Sequence, residues 1–445
     1  MKRYFFLMMM SAYIYGSENF GGNAEIAGGI INVNNESKAA LKLSISPEFK
    51  ISKLSMGAKI GIYMGENIPM DINGDGKSNS KDIDFGLKFL GWDGDIFKFR
   101  YGTFDGYTLG HGTLISNYSN NEKTSLGLGL KDSENKIGAE VFFPLEKDIF
   151  GAKIEEKDRP GSMGARVFVK PLKYTNLDLP IIDKLELGFT YGEDTRDKYN
   201  GINTDGSFEN KTGSTELKEY SGHVKGIVYE ISLPLIENRV VPYYNRVQIK
   251  TEKDKLEDGS TGKDNSNLSG DFLGVMGKVS LLSYKFEYRN IDSGLTPGYF
   301  GKLYEVKYNQ NLDRALNNSN EKISGYFGEV DANFGGIINL SGSYEDYDKD
   351  DLNPHLVGQL DLFLSKKLQA KISYDQIDLG SELHKDKYFN EDTVIFANII
   401  APAAFIGIPG PVTAKLNIKQ NYNFNEVKAK YEPTRIYSLG LAMEF

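Results

Sequence analysis

Tyr437-Ser438-Leu439-Gly440-Leu441-Ala442-Met443-Glu444-Phe445 closes the chain. Its odd positions are large and apolar, its even positions are small or polar, and the last residue is Phe. Successive side chains of a β-strand point to opposite faces, so this stretch offers one face to an apolar medium and the other to water. A final strand of that kind suits a sheet that closes on itself, because it must pair with the first strand while presenting a lipid face.

The same alternation recurs from about residue 38 onward. Phe97, Phe99 and Tyr101 alternate with Lys98 and Arg100; Leu187, Phe189 and Tyr191 with Glu186 and Thr190; Tyr284, Phe286 and Tyr288 with Lys285, Glu287 and Arg289. Ala370, Ile372 and Tyr374 against Lys371 and Ser373, and Leu416 and Ile418 against Lys415, Asn417 and Lys419, continue it. These are strands rather than helices. Candidate strands centre near residues 43, 59, 87, 99, 127, 140, 167, 188, 228, 245, 275, 287, 328, 341, 360, 372, 396, 417 and 440. Short turns such as Gly91–Asp95 and Asp132–Lys136 alternate with long polar connections such as Gly192–Tyr220 and Thr251–Ser269. Bacterial single-chain barrels have even strand numbers, so the expected fold is an all-β, transmembrane antiparallel β-barrel of about 18 strands, range 14–20.

Periodicity alone fits a soluble sandwich or propeller as well, although no shared repeat of about 20–50 residues is present. The C-terminal nonapeptide separates them, because it resembles the terminal β-signal of outer-membrane proteins. That resemblance implies an outer-membrane location and recognition of Phe445 by the barrel-assembly machinery. Gly164–Leu172 and Leu185–Tyr191 are similar to porin-like barrels of diderm bacteria.

Composition agrees. Tyr and Phe, 27 and 26 of 445 residues against a single Trp, favour half-buried pleated surfaces and water–lipid boundaries. The chain has no Cys, which excludes disulfides, thiolate nucleophiles and zinc-thiolate sites. A net charge of −9 gives no electrostatic basis for nucleic-acid binding. Met1-Lys2-Arg3, the uncharged run Tyr4–Tyr15 and the small residues Gly16 and Ser17 read as a secretory signal, too short to span a ~30 Å hydrocarbon core as a helix. The expected organisation is therefore a signal peptide over 1–17, an N-terminal periplasmic segment over 18–37 and the barrel over 38–445.

One motif points to a metal. Asp71-Ile72-Asn73-Gly74-Asp75-Gly76-Lys77-Ser78-Asn79-Ser80-Lys81-Asp82 resembles the calcium loops of dockerins and EF-hands. Oxygen donors stand at positions 1, 3 and 5, Gly at 6, a backbone carbonyl at 7 and a carboxylate at 12. The candidate ligands are Asp71, Asn73, Asp75, the Lys77 carbonyl, Asn79 and Asp82; Asp82 departs from the EF-hand Glu, and the same residue types also build solvated turns.

The Gly-rich segment Gly106–Tyr118 is either an ordinary connection or a constriction folded into the barrel, with His111 or tyrosine hydroxyls facing solute. The other histidines, His223, His355 and His384, are scattered, and no nucleophile or phosphate-binding motif surrounds them, so no enzymatic activity is expected. Thr393–Ala414 carries no charge and reads as a strand followed by an apolar connection, or as an apolar plug.

An outward apolar face leaves an inward face holding Lys42, Lys59, Lys98, Arg100, Arg166, Lys170, Arg246, Lys250, Lys285, Arg289, Lys371, Lys415 and Lys419. Facing them are Glu140, Glu186, Glu230, Glu287, Glu329, Asp331 and Asp361. A hydrated lumen of this kind implies a porin-like channel for small hydrophilic solutes or ions, tolerant of anions, alone or as an oligomer. A hydrophobic-solute transporter with an apolar plug and a surface-binding or structural barrel with a closed lumen are the other readings. For the acidic loop, millimolar calcium should protect the wild-type segment 71–82 from protease and leave an Asp71→Ala, Asp75→Ala variant unprotected; calcium-independent cleavage of the wild type would reduce the loop to a turn.

Overall fold

The computed structural model describes residues 20–33, 36–65, 81–120, 123–148, 151, 153–154, 159–175, 181–194, 199–200, 219–220, 222–236, 239–253, 265–301, 304–305, 315, 321–348, 354–365, 368–376, 393–406, 412–425 and 430–444. Residues 1–17, expected as a signal peptide, and Phe445 lie outside them.

Period-two alternation becomes strands throughout. The first quarter holds β1 (Phe20–Val33), β2 (Glu36–Ile51), β3 (Leu54–Gly65), β4 (Lys81–Asp93) and β5 (Phe97–Gly102). Then follow β6 (Ser125–Lys131), β7 (Ile137–Pro144), β8 (Ser162–Val169) and β9 (Glu186–Asp194), and a separate two-stranded hairpin of β10 (Tyr199–Asn200) and β11 (Glu219–Tyr220). The wall resumes with β12 (Gly222–Ser232), β13 (Val241–Lys253), β14 (Asn265–Val279), β15 (Leu282–Asp292) and β16 (Lys322–Phe334). It ends with β17 (Ile338–Tyr347), β18 (His355–Ser365), β19 (Leu368–Gln376), β20 (Thr393–Pro402), β21 (Val412–Asn425) and β22 (Lys430–Glu444).

All but the small hairpin join one 20-stranded sheet in which each strand pairs antiparallel with its neighbours in sequence, β9 passing directly to β12. β1 pairs with both β2 and β22, which closes the barrel. All nineteen strand centres read from the sequence fall inside wall strands. The strand they omit is β1, so the 18–37 segment expected in the periplasm instead supplies the closing strand, and the count reaches the top of the expected range. The C-terminal stretch sits as the alternation demands, with Leu439 opposite Gly28 and Leu416, and Leu441 opposite Ile26 and Ala414.

Tight connections at 52–53, 94–96, 132–136, 280–281 and 335–337 gather at one end. The outer face beyond them is apolar: Phe286, Tyr288, Tyr326, Leu340 and Ile372 are exposed there. Tyrosines mark its loop-side border. Their hydroxyls donate to the outward polar residue beyond the apolar face, Tyr191 to Glu193, Tyr344 to Asp346 and, across strands, Tyr244 to Asp271. A ring that is apolar in body and wet at its tip belongs at a lipid–water boundary.

β13 inverts one expectation. Val247 and Ile249 face inward and are buried, while Arg246 and Lys250 face outward beyond Tyr244, where Arg246 ion-pairs with Asp271 at 3.2 Å. Arg289, Glu230, Glu287 and Asp361 are further corrections: inward as expected, they are buried rather than hydrated.

Two substitutions on one strand should therefore both destabilise, for different reasons. Phe286→Lys places a charge on the lipid face and is expected to cost about 2–4 kcal/mol. Arg289→Glu leaves Glu287 and Glu345 buried beside a third carboxylate and is expected to cost about 3–5 kcal/mol. Urea-unfolding midpoints in detergent read both; a harmless Phe286→Lys would invert the assignment of faces.

Candidate functional site: a constriction inside the barrel

Residues 103–120 of the connection after β5 and 293–301, 304–305 and 315 of the connection after β15 fold into the lumen and meet there. Ile115 and Phe300 form a parallel bridge; Phe300 N–H donates to the Leu114 carbonyl at 2.9 Å and Gly298 N–H to the Thr113 carbonyl at 2.8 Å. Paired in this way, the backbone of a buried loop satisfies polar groups that water cannot reach. Leu109, Leu114, Ile115, Tyr118, Tyr299, Phe300 and Tyr304 then pack with inward Phe142, Val228, Val247, Ile249, Phe272 and Ile291 into one buried apolar cluster.

Inward glycines make room for it. A Cβ on Gly226 would lie 2.6 Å from Leu114, one on Gly192 2.8 Å from Phe300, and one on Gly164 2.5 Å from Ile115. At the tip, Gly110 takes φ +59 and lies so close to the wall that a Cβ would meet the Glu230 carboxylate.

Polar anchors fix both connections. Buried Glu305 accepts from the Tyr118 hydroxyl at 2.7 Å and from the backbone of Gly161 and Ser162 at 3.1 and 3.3 Å, and the Tyr304 hydroxyl donates to Asp194. Asn245 donates to Thr113, which turns its carbonyl oxygen toward His111; His111 Nδ1–H then donates to it at 3.0 Å. The ring also stacks on Tyr243 at 4.4 Å. Burial holds the His111 pKa below its ordinary value against the pull of Glu230, so the imidazole is neutral at pH 7.

Charges beneath the cluster are paired. Arg166 bridges Glu230 and Glu186, and Thr190 donates to Glu230. Arg289 spans Glu287, Glu345 and the Tyr347 hydroxyl while lying 4.0 Å over the Phe327 ring. Lys285 joins Glu287 to the His111 carbonyl. These residues, expected to line water, instead brace the constriction.

The packed cluster draws its wall residues from β7 to β17. Other inward residues keep a polar face. Asn339, Asp361, Lys371, Asn398 and Asn417 stand opposite one another in register across β17 to β21. Beneath the first connection, a cavity of about 510 Å³ is lined by Lys50, Lys53, Lys98, Arg100, Tyr107 and Glu140, among others. Lys53 and Lys98 pair with Asp95 and Asp93 at its rim.

Of the calcium-loop candidates, Asp71, Asn73, Asp75, Lys77 and Asn79 lie outside the described residues, and Asp82 falls in β4 opposite Tyr63. Among the described residues, no group of three or more His, Cys, Asp or Glu side chains is placed to hold a metal ion. His223 lies in β12, His384 lies outside the described residues, and His355 sits between Glu345 and Asp375. Of Thr393–Ala414, residues 393–402 form β20 and 403–406 a short 3-10 turn; 407–411 lie outside the described residues. The sequence reading singled out the first inward connection but missed the second. Its signals were present: Gly294, Pro297, Gly298 and Gly301 among Leu295, Tyr299 and Phe300, as apolar and glycine-rich as Gly106–Tyr118.

The chain is thus a transmembrane antiparallel barrel narrowed from within by two of its own connections. No family model and no curated protein matches it. Solved structures that it resembles include OccAB1 of Acinetobacter baumannii, at 11% identity over 97% of each chain with a TM-score of 0.36. The outer membrane protein OpdK of Pseudomonas aeruginosa matches at 8% identity over 96% of this chain and 99% of that one, TM-score 0.36. A mutant ferric enterobactin receptor, PfeA, of the same organism matches at 13% identity over 96% and 81%, TM-score 0.40.

If the glycines seat the constriction, Gly226→Val should displace Leu114 and lower stability by about 1–3 kcal/mol. It should also open the segment 103–124 to protease; a variant as resistant as the wild type would deny the glycine its role.

Proposed function

We propose that the protein is an outer-membrane channel through which small hydrophilic solutes and ions diffuse passively. The polar row Asn339, Asp361, Lys371, Asn398 and Asn417 carries this reading. Side chains of that kind across five adjacent strands are stable inside a barrel where water or a charged partner reaches them, and Lys371 in this row is about half exposed. Strand number supports it, since barrels of 16–18 strands already leave an aqueous channel and this wall has 20. The infolded connections then set the bore.

Against the alternative of an apolar plug, Thr393–Pro402 belongs to the wall, while 407–411 lie outside the described residues. The apolar material in the lumen is a packed cluster with buried side chains, a support rather than a lining.

The basic cavity under the first connection favours anions: Lys50, Lys53, Lys98 and Arg100 outnumber Asp93 and Glu140 on its walls. We further propose that segment 71–82 binds calcium as a stiffener of its connection, and that the terminal strand engages the barrel-assembly machinery through Phe445.

Planar-bilayer recording of the refolded protein tests the channel. Stepwise conductance with a reversal potential displaced toward the anion is expected, and Lys98→Glu, an exposed change, should move that potential toward the cation. A folded, membrane-inserted protein without conductance would overturn the channel reading, and an unmoved potential the anion route.

A further inference from the structure

On the lumen wall near the turn end, Asp331 of β16, Asn339 of β17 and Asp361 of β18 face inward on three adjacent strands. Asn339 stands directly opposite Asp361 in register. The Asn339 amide donates to Asp331 at 3.4 Å, which turns its carbonyl oxygen away from Asp331. That oxygen is buried and accepts no hydrogen bond. Asp361, 7% exposed, accepts from Gln359 on Oδ2 at 2.8 Å, but its Oδ1 is equally buried and accepts none. The nearest cation, the Lys371 ammonium, stops 4.0 Å away and is itself about half exposed. Glu329, one inward position above Asp331, adds negative charge to this part of the wall, and the Lys285 opposite it is engaged by Glu287 and the His111 carbonyl.

A buried carboxylate oxygen and a buried amide oxygen on paired positions, both without a protein donor, call for a shared partner, a water or a positive charge, between them. Their chemistry is all oxygen, the donor set of hard cations, and one or two carboxylates suffice for an ion that keeps part of its water shell. We propose that Asn339 and Asp361 form a lumenal subsite for a hydrated divalent cation of the calcium or magnesium class, with Asp331 holding the Asn339 amide so that its oxygen faces the ion. Lys371 is its tethered competitor, near enough to offset part of the charge and too far to satisfy Asp361 Oδ1. The bound ion cancels the acidic side of the wall, which leaves the basic cavity to govern the field in the lumen. The subsite needs only a solvated lumen, so it does not depend on solutes crossing.

Calorimetric titration of calcium chloride into the refolded full-length protein in detergent tests it, with Asp71→Ala and Asp75→Ala present to silence the other candidate loop. Binding is expected with a dissociation constant of about 10⁻⁴ to 10⁻³ M. Asp361→Asn should weaken it roughly tenfold and Lys371→Met should tighten it about threefold, through loss of a ligand charge and of a competitor. Absence of calcium binding at millimolar concentration, or equal affinity in the wild-type and Lys371→Met lumen, overturns the proposal. The lysine variant decides the matter even where Asp361→Asn does not refold. Because the readout is heat in detergent, a barrel that binds calcium yet conducts nothing separates this subsite from the channel reading.

Discussion

Hydrocarbon offers no hydrogen bonds, so every backbone N–H and C=O in the wall must find its partner within the wall. That constraint fixes the molecule. An open sheet would leave two edges unpaired in lipid; pairing β1 with β22 removes both. Closure also dictates the use of the side chains, since a strand that bonds on both edges can vary only in what it presents outward and inward. Outward, Phe286, Tyr288 and Tyr326 meet lipid. Inward, residues are free to be charged, provided that water or a partner reaches them.

A wall of 20 strands encloses more space than its own side chains fill, so the bore is decided by connections. Two of them enter and build a small globular core inside the lumen, an inversion of the usual membrane-barrel rule that places apolar residues outside. The inversion has a local signature. Where the loops rest, the wall turns Val228, Val247, Phe272 and Ile291 inward, interrupted by glycines that receive Leu114 and Phe300. Where no loop core rests, β17, β19 and β21 turn Asn, Ser, Gln, Asp and Lys inward, while β18 and β20 mix Asp361 and Asn398 with Val357, Phe363, Phe396 and Ile400. Glycines paired with large inward apolar residues therefore mark the covered part of the wall. The buried ion pairs sit beneath the covered wall, where Arg166 and Arg289 each satisfy two carboxylates and hold neighbouring strands at fixed spacing.

Legibility from sequence followed contrast. Strands with strong alternation, such as Tyr284–Tyr288, were readable to the residue. β1 was not, because Phe20-Gly21-Gly22-Asn23-Ala24-Glu25-Ile26-Ala27-Gly28-Gly29 is built of small residues whose two faces differ little. β13 was readable as a strand but assigned to the wrong faces, because at its loop-side end it swaps apolar and charged sides: Val247 and Ile249 belong to the loop core and Arg246 to the aqueous exterior. Period two gives two faces without saying which is which, and only a neighbour decides.

By itself the sequence determined the all-β class, the run of the wall strands and the lipid-ready terminal strand, because these depend on residues one or two apart in the chain. The tertiary structure alone decided that β1 closes the barrel, that 293–301 joins 107–118 in the lumen, and that Arg289 is braced rather than hydrated. Those outcomes rest on contacts between residues far apart in sequence, such as Tyr118 with Glu305 and His111 with Asn245, and local periodicity carries no information about pairs at that separation.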